Sequence, residues 1–251
     1  MSAPIRRRFD RAGATYEAAA QVQRLVATQL ARRCPPTLRG AVLEIGAGSG
    51  LLTRQLLPRH DAGTYVALDL SPGMLAQASM PGAAKVAADG ERPPFSPATF
   101  DFLVSASAMH WYADPAQSIP ANLKLLRPGG GFALSLYATG TLWELAEASR
   151  VTGFGSVYPM RPTAFYRECM AALPDVAWTM EETSHTVTHP SVAALLHGLQ
   201  EAGVTHTPAK RATSPGRYRE FSRYYARRFG VADGVTASYA VVTFLGTIRR
   251  S

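Results

Sequence analysis

The stretch VLEIGAGSGLLT (residues 42–53) constrains the fold more than any other part of the chain. It ends an apolar run in Glu44 and Ile45 and then places glycine at 46, 48 and 50. Alternate glycines of this kind make a tight turn after a strand, and their bare backbone can approach a ligand that side chains would hold off. A dinucleotide fingerprint needs glycine at 46, 48 and 51, yet position 51 is Leu. The shorter G-x-G-x-G spacing, with Leu51 and Leu52 directly behind it, fits a ligand that brings no phosphate to the turn.

Short apolar runs bounded by Gly, Asp or Pro recur along the chain, as buried parallel strands do: AVLEI (41–45), TYVALDL (64–70), AKVAAD (84–89), FDFLVSAS (100–107) and GFALSLY (131–137). Helix-like segments separate most of them. This alternation predicts an α/β, doubly wound Rossmann-like sheet with its ligand beyond the carboxyl ends of the strands. A long final strand is expected in ASYAVVTFLGTI (237–248). Before it, residues 141–154, 162–173 and 191–203 read as three helices, more than one crossover needs, so part of that region is expected to cap the strand ends. The resulting division is one domain with a helical segment over 1–38, a ligand-binding core over 39–137, a cap with crossover helices over 138–230, and the last strand within 231–251.

With 251 residues, 47% of them hydrophobic, the chain can bury one large core without disulfide or metal support. No uncharged apolar run approaches the roughly 20 residues that cross a bilayer, and Arg6, Arg7 and Arg8 are followed by no apolar leader segment. The expectation is a cytoplasmic protein with no membrane contact. Cys34 and Cys169 make no zinc set and read as core residues, and His185 and His189 lack a nearby third ligand, so no metal is expected. The net charge of +8 lies at the two ends: residues 1–40 carry +6 and residues 207–251 carry +7, leaving −5 between them. Such ends suit an acidic partner.

Asp69 closes the second apolar run 19 residues after Gly50, where an acceptor-only carboxylate can take both hydroxyls of a ribose. A ribose without a pyrophosphate points to S-adenosylmethionine. From here the residues resemble the class I S-adenosylmethionine-dependent methyltransferases, which implies a seven-stranded sheet with the cap inserted after the fifth strand. The resemblance assigns Glu44, Gly46, Gly48, Gly50 and Asp69 to the cofactor cradle. It adds Leu70 and Met74 in LDLSPGMLAQA (68–78), Asp89 and Gly90 in AADGERPPF (87–95), and Ser105 in FDFLVSASAMHWY (100–112), with Met74 packing on the adenine and Asp89 accepting from its amino group.

The flanks carry a narrower resemblance. FDRAGATYEAAAQVQR (9–24), TLWEL (141–145), LLHGLQEAGVTH (195–206) and SYAVVTFLGTI (238–248) are similar to the malonyl-acyl-carrier-protein O-methyltransferases of biotin synthesis, the BioC family. This implies methyl transfer to the free carboxylate of a malonyl thioester on acyl carrier protein or coenzyme A. It also implies an N-terminal segment over the strand ends, with Phe9 anchoring it, Tyr16 orienting the acceptor and Gln23 reaching the methionine end of the cofactor. Where that family has Ser-Asn-Leu-Ala-x-Gln-Trp, this chain has SASAMHW, with Ala106 in place of Asn and His110 in place of Gln. His110, Trp111 and Tyr112 then wall the catalytic side.

A malonyl carboxylate is already ionised near pH 7, having a pKa of ~4, so no catalytic base is required. A donor must still hold its second oxygen, and Arg161, Tyr166 and Arg167 are the candidates. The basic ends, through Arg6, Arg7, Arg8 and Arg11 with Arg223, Arg227 and Arg228, are expected to meet the acidic carrier. Three other readings stay open at this point: a methyltransferase of another small acid or metabolite, a nucleic-acid methyltransferase, and a cofactor-binding subunit without catalysis. Against nucleic acid, the chain lacks an Asn-Pro-Pro-Tyr or Asp-Pro-Pro-Tyr run, and neither cysteine follows a proline.

Overall fold

The computed structural model describes residues 20–201 and 214–250. The expectations placed on Arg6, Arg7, Arg8, Phe9, Arg11 and Tyr16 fall outside those residues.

The strand VLEI is buried at all four positions, as a strand covered on both faces must be, and it forms the centre of the sheet as β1 (Val42–Ile45). Around it lie β2 (Tyr65–Asp69), β3 (Ala83–Ala87), β4 (Phe100–Ala106), β5 (Leu126–Tyr137), β6 (Val176–His189) and β7 (Gly234–Ile248). Their order across the sheet is β3-β2-β1-β4-β5-β7-β6. The first five are parallel, and β7 runs antiparallel between β5 and β6. Strand order reverses between β1 and β4, and this switch opens a crevice at the carboxyl ends of both. A two-residue strand, Gly230–Val231, extends β7 as a hairpin.

The helices are α1 (Gln21–Arg33), α2 (Thr53–Leu56), α3 (Pro72–Gln77), α4 (Pro115–Leu123), α5 (Trp143–Thr152), α6 (Thr163–Ala171), α7 (Val192–Glu201) and α8 (Pro215–Phe229). The inward stripe of α1 divides its work at i, i+4 spacing. Ala27, Leu30 and Ala31 pack against β1 and β4 from one face of the sheet, while Val22 and Val26 join a separate cluster with Leu145, Phe221 and Tyr239. That second cluster, built by α5, α7 and α8 over the ends of β5 and β7, is where the chain places its extra helices. Glu144 locks α5 there: its buried carboxylate accepts from Ser238 N at 3.0 Å and from Ser238 Oγ at 2.5 Å.

One element departs from the sequence reading. Residues 176–189 fall within the span given to the cap and crossover helices, though outside the three helices read there and with His185 and His189 read as strand or loop; they form β6, which pairs with β7 over fourteen residues from Val176↔Ile248 to His189↔Val235. It is an edge strand with only Val176 and Val187 buried, so it presents no apolar run to recognise. Among the described residues no helix is long and apolar enough to cross a membrane.

Candidate active site

The chain leaves β1 through Gly46, whose φ of +78° and closeness to Ala108 forbid a side chain; an added Cβ would lie 2.2 Å from that of Ala108. The turn is held by the neighbouring strand. Gly46 N and Ala47 N donate to Leu68 O at 2.8 and 3.0 Å, and Gly48 N donates to Asp69 Oδ2 at 2.8 Å. Asp69 Oδ1 accepts from Ser71 N at 2.8 Å. The carboxylate expected to meet a ribose therefore also staples the glycine turn. A carboxylate offers about four acceptor positions, so these two bonds are compatible with ribose hydroxyls.

Glu44 lies buried beneath the turn. Its Oε2 accepts from Thr53 Oγ1 and from the Tyr65 hydroxyl, each at 2.7 Å, and burial pushes its carboxyl up to about 7. Past β3, Asp89 Oδ1 accepts from Glu91 N at 3.0 Å. The Gly90 carbonyl accepts from the Tyr112 hydroxyl at 2.8 Å and from Asn122 Nδ2 at 2.9 Å, which fixes this turn against α4. Tyr112 was expected in the acceptor wall; it supports the cofactor side, and Asn122, a helix residue with no motif around it, escaped the sequence reading.

These groups enclose a narrow cleft of about 90 Å³. Gln23, Glu44, Gly46, Gly48, Asp69, Leu70, Met74, Asp89 and Gly90 all line it, as the sequence predicts. Gly50 and Ser105 do not. Gly50 closes the turn by donating to Ala47 O at 2.8 Å, and Ser105 Oγ donates to Ile45 O at 2.8 Å, tying β4 to β1 beneath the cleft. In place of Ser105, the wall passes through Ala106, Ser107 and Ala108. The positive φ of Ser107, +55°, redirects the chain there, and no sequence signal marks it.

Beside the cleft lies a wider chamber of about 260 Å³ that shares Gln23, Ser107 and Trp111 with it. Trp111 faces both spaces and packs on Tyr158 with ring centres 5.0 Å apart. The His110 ring sits between Trp111 at 5.0 Å and Tyr137 at 4.8 Å. It is 4% exposed, and burial pushes its pKa down to about 3, so the imidazole is neutral. Tyr137, at the end of β5, and Tyr239, within the first half of β7, complete this wall and were not anticipated. The three expected carboxylate holders lie elsewhere. Tyr166 is buried in the main core, Arg167 pairs with Glu182 at 3.5 Å on the outer face, and Arg161 stacks over Phe165 at 4.8 Å. None of the three lines the chamber.

The cleft's donor set decides what it can hold. Three carboxylates, Glu44, Asp69 and Asp89, meet apolar walls from Leu52, Leu68 and Met74, and no Lys or Arg is among the described lining residues. Such a surface repels a polyphosphate and attracts a cation with an apolar base. Gln23 Oε1 and Ser49 Oγ, both buried and without a partner among the described residues, stand on the same wall. S-adenosylmethionine, with its sulfonium, ammonium, ribose and adenine, fits that set.

A sheet ordered 3-2-1-4-5-7-6 with an acidic glycine cleft at its switch point defines a class I methyltransferase. Residues 43–134 match the family described as "Methyltransferase domain". The chain is 32% identical to the malonyl-[acyl-carrier protein] O-methyltransferase of Geobacter sulfurreducens, over 96% of this chain and 97% of that protein. It is also 32% identical to the biotin biosynthesis bifunctional protein BioCD of Bordetella avium, over 87% of this chain, and spans about half of that longer relative, 49%. Among solved structures it resembles YcgJ of Bacillus subtilis with a TM-score of 0.63 at 14% identity, covering 90% of this chain and 99% of that one. The chain belongs to the malonyl-[acyl-carrier protein] O-methyltransferase family.

Proposed function

We infer that the protein methylates the free carboxylate of a malonyl thioester carried on acyl carrier protein, using S-adenosylmethionine, as a step of biotin synthesis. The observation that carries this reading is the near end-to-end likeness to a malonyl-[acyl-carrier protein] O-methyltransferase, which includes the chamber-forming helices as well as the cofactor core.

Asp69 and Asp89 are the groups assigned to the ribose and adenine, Leu70 and Met74 to the adenine walls, Gly46 and Gly48 to the close backbone approach, and Gln23 and Glu44 to the methionine end. Gly50 and Ser105 support the turn from behind. When bound, S-adenosylmethionine supplies an electrophilic methyl group, which a carboxylate oxygen displaces from sulfur with no proton transfer. The protein's part is therefore positional. Trp111 and Gln23 border both spaces and set the line along which acceptor and donor meet, an effect worth roughly 7 to 11 kcal/mol in well-oriented systems. The apolar walls of the chamber, Leu145, Phe154 and Phe221 among them, remove water from the attacking oxygen. Tyr16 is the further acceptor-orienting residue that the family resemblance suggests.

The carrier is expected to dock on α8, which carries Arg217, Arg219, Arg223, Arg227 and Arg228 against a single acid, Glu220. Labelled S-adenosylmethionine offered with malonyl-acyl carrier protein, malonyl coenzyme A or bulk RNA tests the reading. Label is expected in the methyl ester of a malonyl thioester; its transfer to RNA, or to neither thioester, would reject the assignment.

A further inference from the structure

The acceptor half of the site poses a problem that the family assignment leaves open. A carboxylate must be held there, yet none of the described residues lining the chamber is Lys or Arg. What the structure places there instead is a buried, unpartnered ring nitrogen. His110 Nδ1 makes no hydrogen bond among the described residues, although its ring is held on both sides by Trp111 and Tyr137. A buried polar atom left without a partner costs about 1–3 kcal/mol, and this one belongs to a side chain that lines the chamber. Three residues earlier, Ser107 lies on the wall common to cleft and chamber, in a left-handed backbone conformation that costs a non-glycine residue free energy. Its hydroxyl reaches Tyr137 only at 3.3 Å, long for a bond between hydroxyls.

We propose that His110 and Ser107 together hold the acceptor carboxylate through neutral N–H and O–H donors, and thereby select a free carboxylate at the junction of the two spaces. The proposal rests on the malonyl-thioester reading and names the side chains that execute it.

Neutral donors suit the chemistry. A cation at this position would stabilise the carboxylate charge and blunt its attack, and it would stand close to a cationic methyl donor. The desolvated imidazole cannot become that cation, since burial keeps it neutral throughout the neutral range; in the tautomer with hydrogen on Nδ1 it donates. Bonds to an ionised acceptor are about twice as strong as those to a neutral one. The product ester is therefore held less firmly than the acid, which favours its release.

Steady-state methyl transfer to malonyl-acyl carrier protein, with S-adenosylmethionine affinity measured by calorimetry on the same preparations, tests the assignment. His110→Phe keeps the ring's shape and removes the donor; Ser107→Gly removes the hydroxyl and suits the positive φ. Each is expected to raise the acceptor KM about 10-fold or more while leaving the affinity for S-adenosylmethionine within about twofold. His110→Asn restores an N–H near the Nδ1 position and is expected to recover most of the loss, which a purely packing role would not produce. An active wild type whose acceptor KM is unmoved by both donor-removing variants, or a His110→Asn protein no better than His110→Phe, overturns the proposal alone. A wild type that neither methylates nor binds any malonyl thioester overturns it together with the functional reading.

Discussion

The two halves of the site are built on opposite principles. The cofactor cleft takes most of its lining from residues 44–90, in turns that follow parallel strands and are held by strand register, with Asp69 and Asp89 bonded to backbone amides of the turns they serve. The chamber takes side chains from α1, the segment after β4, the end of β5, the first half of β7, and the helices α5, α7 and α8. One half therefore has little freedom to vary without losing its ligand, while the other is a set of independent side chains on separate elements. The comparison teaches where binding energy is preorganised and where specificity can be adjusted.

Asp69→Ala should produce the largest effect, and it should fall on the cleft alone. The substitution strips the partners from Gly48 N and Ser71 N and also removes the group assigned to the ribose. Hydrogen bonds to a charged group are worth about 1.5–3 kcal/mol each, so the dissociation constant for S-adenosylmethionine should rise at least about 100-fold. Calorimetry reads this directly. Wild-type affinity in that variant would break the contrast between cleft and chamber, because the turn would then hold its ligand without the carboxylate that fixes it.

The same contrast explains what was legible in the sequence. The cleft could be read because its determinants are local: Gly46 needs a positive φ and no side chain, and Asp69 falls where a short strand ends. The chamber could not, because Tyr137 and Tyr239 are brought together by the antiparallel insertion of β7 between β5 and β6, a pairing no local pattern encodes, and Tyr158 reaches Trp111 from the segment between α5 and α6. β6 itself was missed for a related reason, since an edge strand exposed on most of its length carries no apolar run. Arg161 and Arg167 carry the charge that a carboxylate holder needs, but Arg161 stacks on Phe165 just before α6 and Arg167 pairs with Glu182 on the outer face.

Acidity separates the halves next. Glu44 keeps its proton to about 7 in the fold against 4.5 as an isolated group, so the folded state holds the extra proton between those values. Its contribution is whole below about 4.5 and is lost as pH rises through 7, by about 1.4 kcal/mol per unit. His110 behaves in the reverse sense. With a pKa near 3 in the fold against 6.5 free, its contribution is present above 6.5 and is lost as pH falls toward 3. Urea midpoints measured against pH should accordingly flatten on the alkaline side for Glu44→Gln, which retains an oxygen for Thr53 and Tyr65, and on the acid side for His110→Asn. Parallel curves for variant and wild type would show that the burial of that group does not set its titration.

Gln23 belongs to both halves and should betray it. Gln23→Leu is expected to weaken S-adenosylmethionine binding and raise the acceptor KM together, each by about tenfold, the loss of one hydrogen bond to a charged ligand. Its Oε1 has no partner among the described residues, so the ligand-free fold should be no less stable for losing it. A lower melting temperature with unchanged ligand affinities would make Gln23 a packing residue of α1 and leave the two spaces without a polar link.

The smallest effect is expected outside both halves, on α8. Arg228 already shares Glu147 at 3.5 Å, whereas Arg223 and Arg227 are exposed on the same helix. Exposed charges act over about 10 Å at 0.1 M salt and govern encounter more than the bound complex. Replacing both, Arg223→Glu with Arg227→Glu, should lower kcat/KM for malonyl-acyl carrier protein a few-fold at low ionic strength and leave kcat unchanged. Added salt should erase the difference between variant and wild type, because screening removes the attraction in one and the repulsion in the other. Malonyl-pantetheine, which offers the same carboxylate without an acidic protein behind it, should be methylated equally well by both. A deficit that persisted with malonyl-pantetheine would mean that α8 shapes the chamber through Phe221 and Tyr225 rather than steering the carrier, and the boundary between the acceptor space and its outer surface would have to be redrawn.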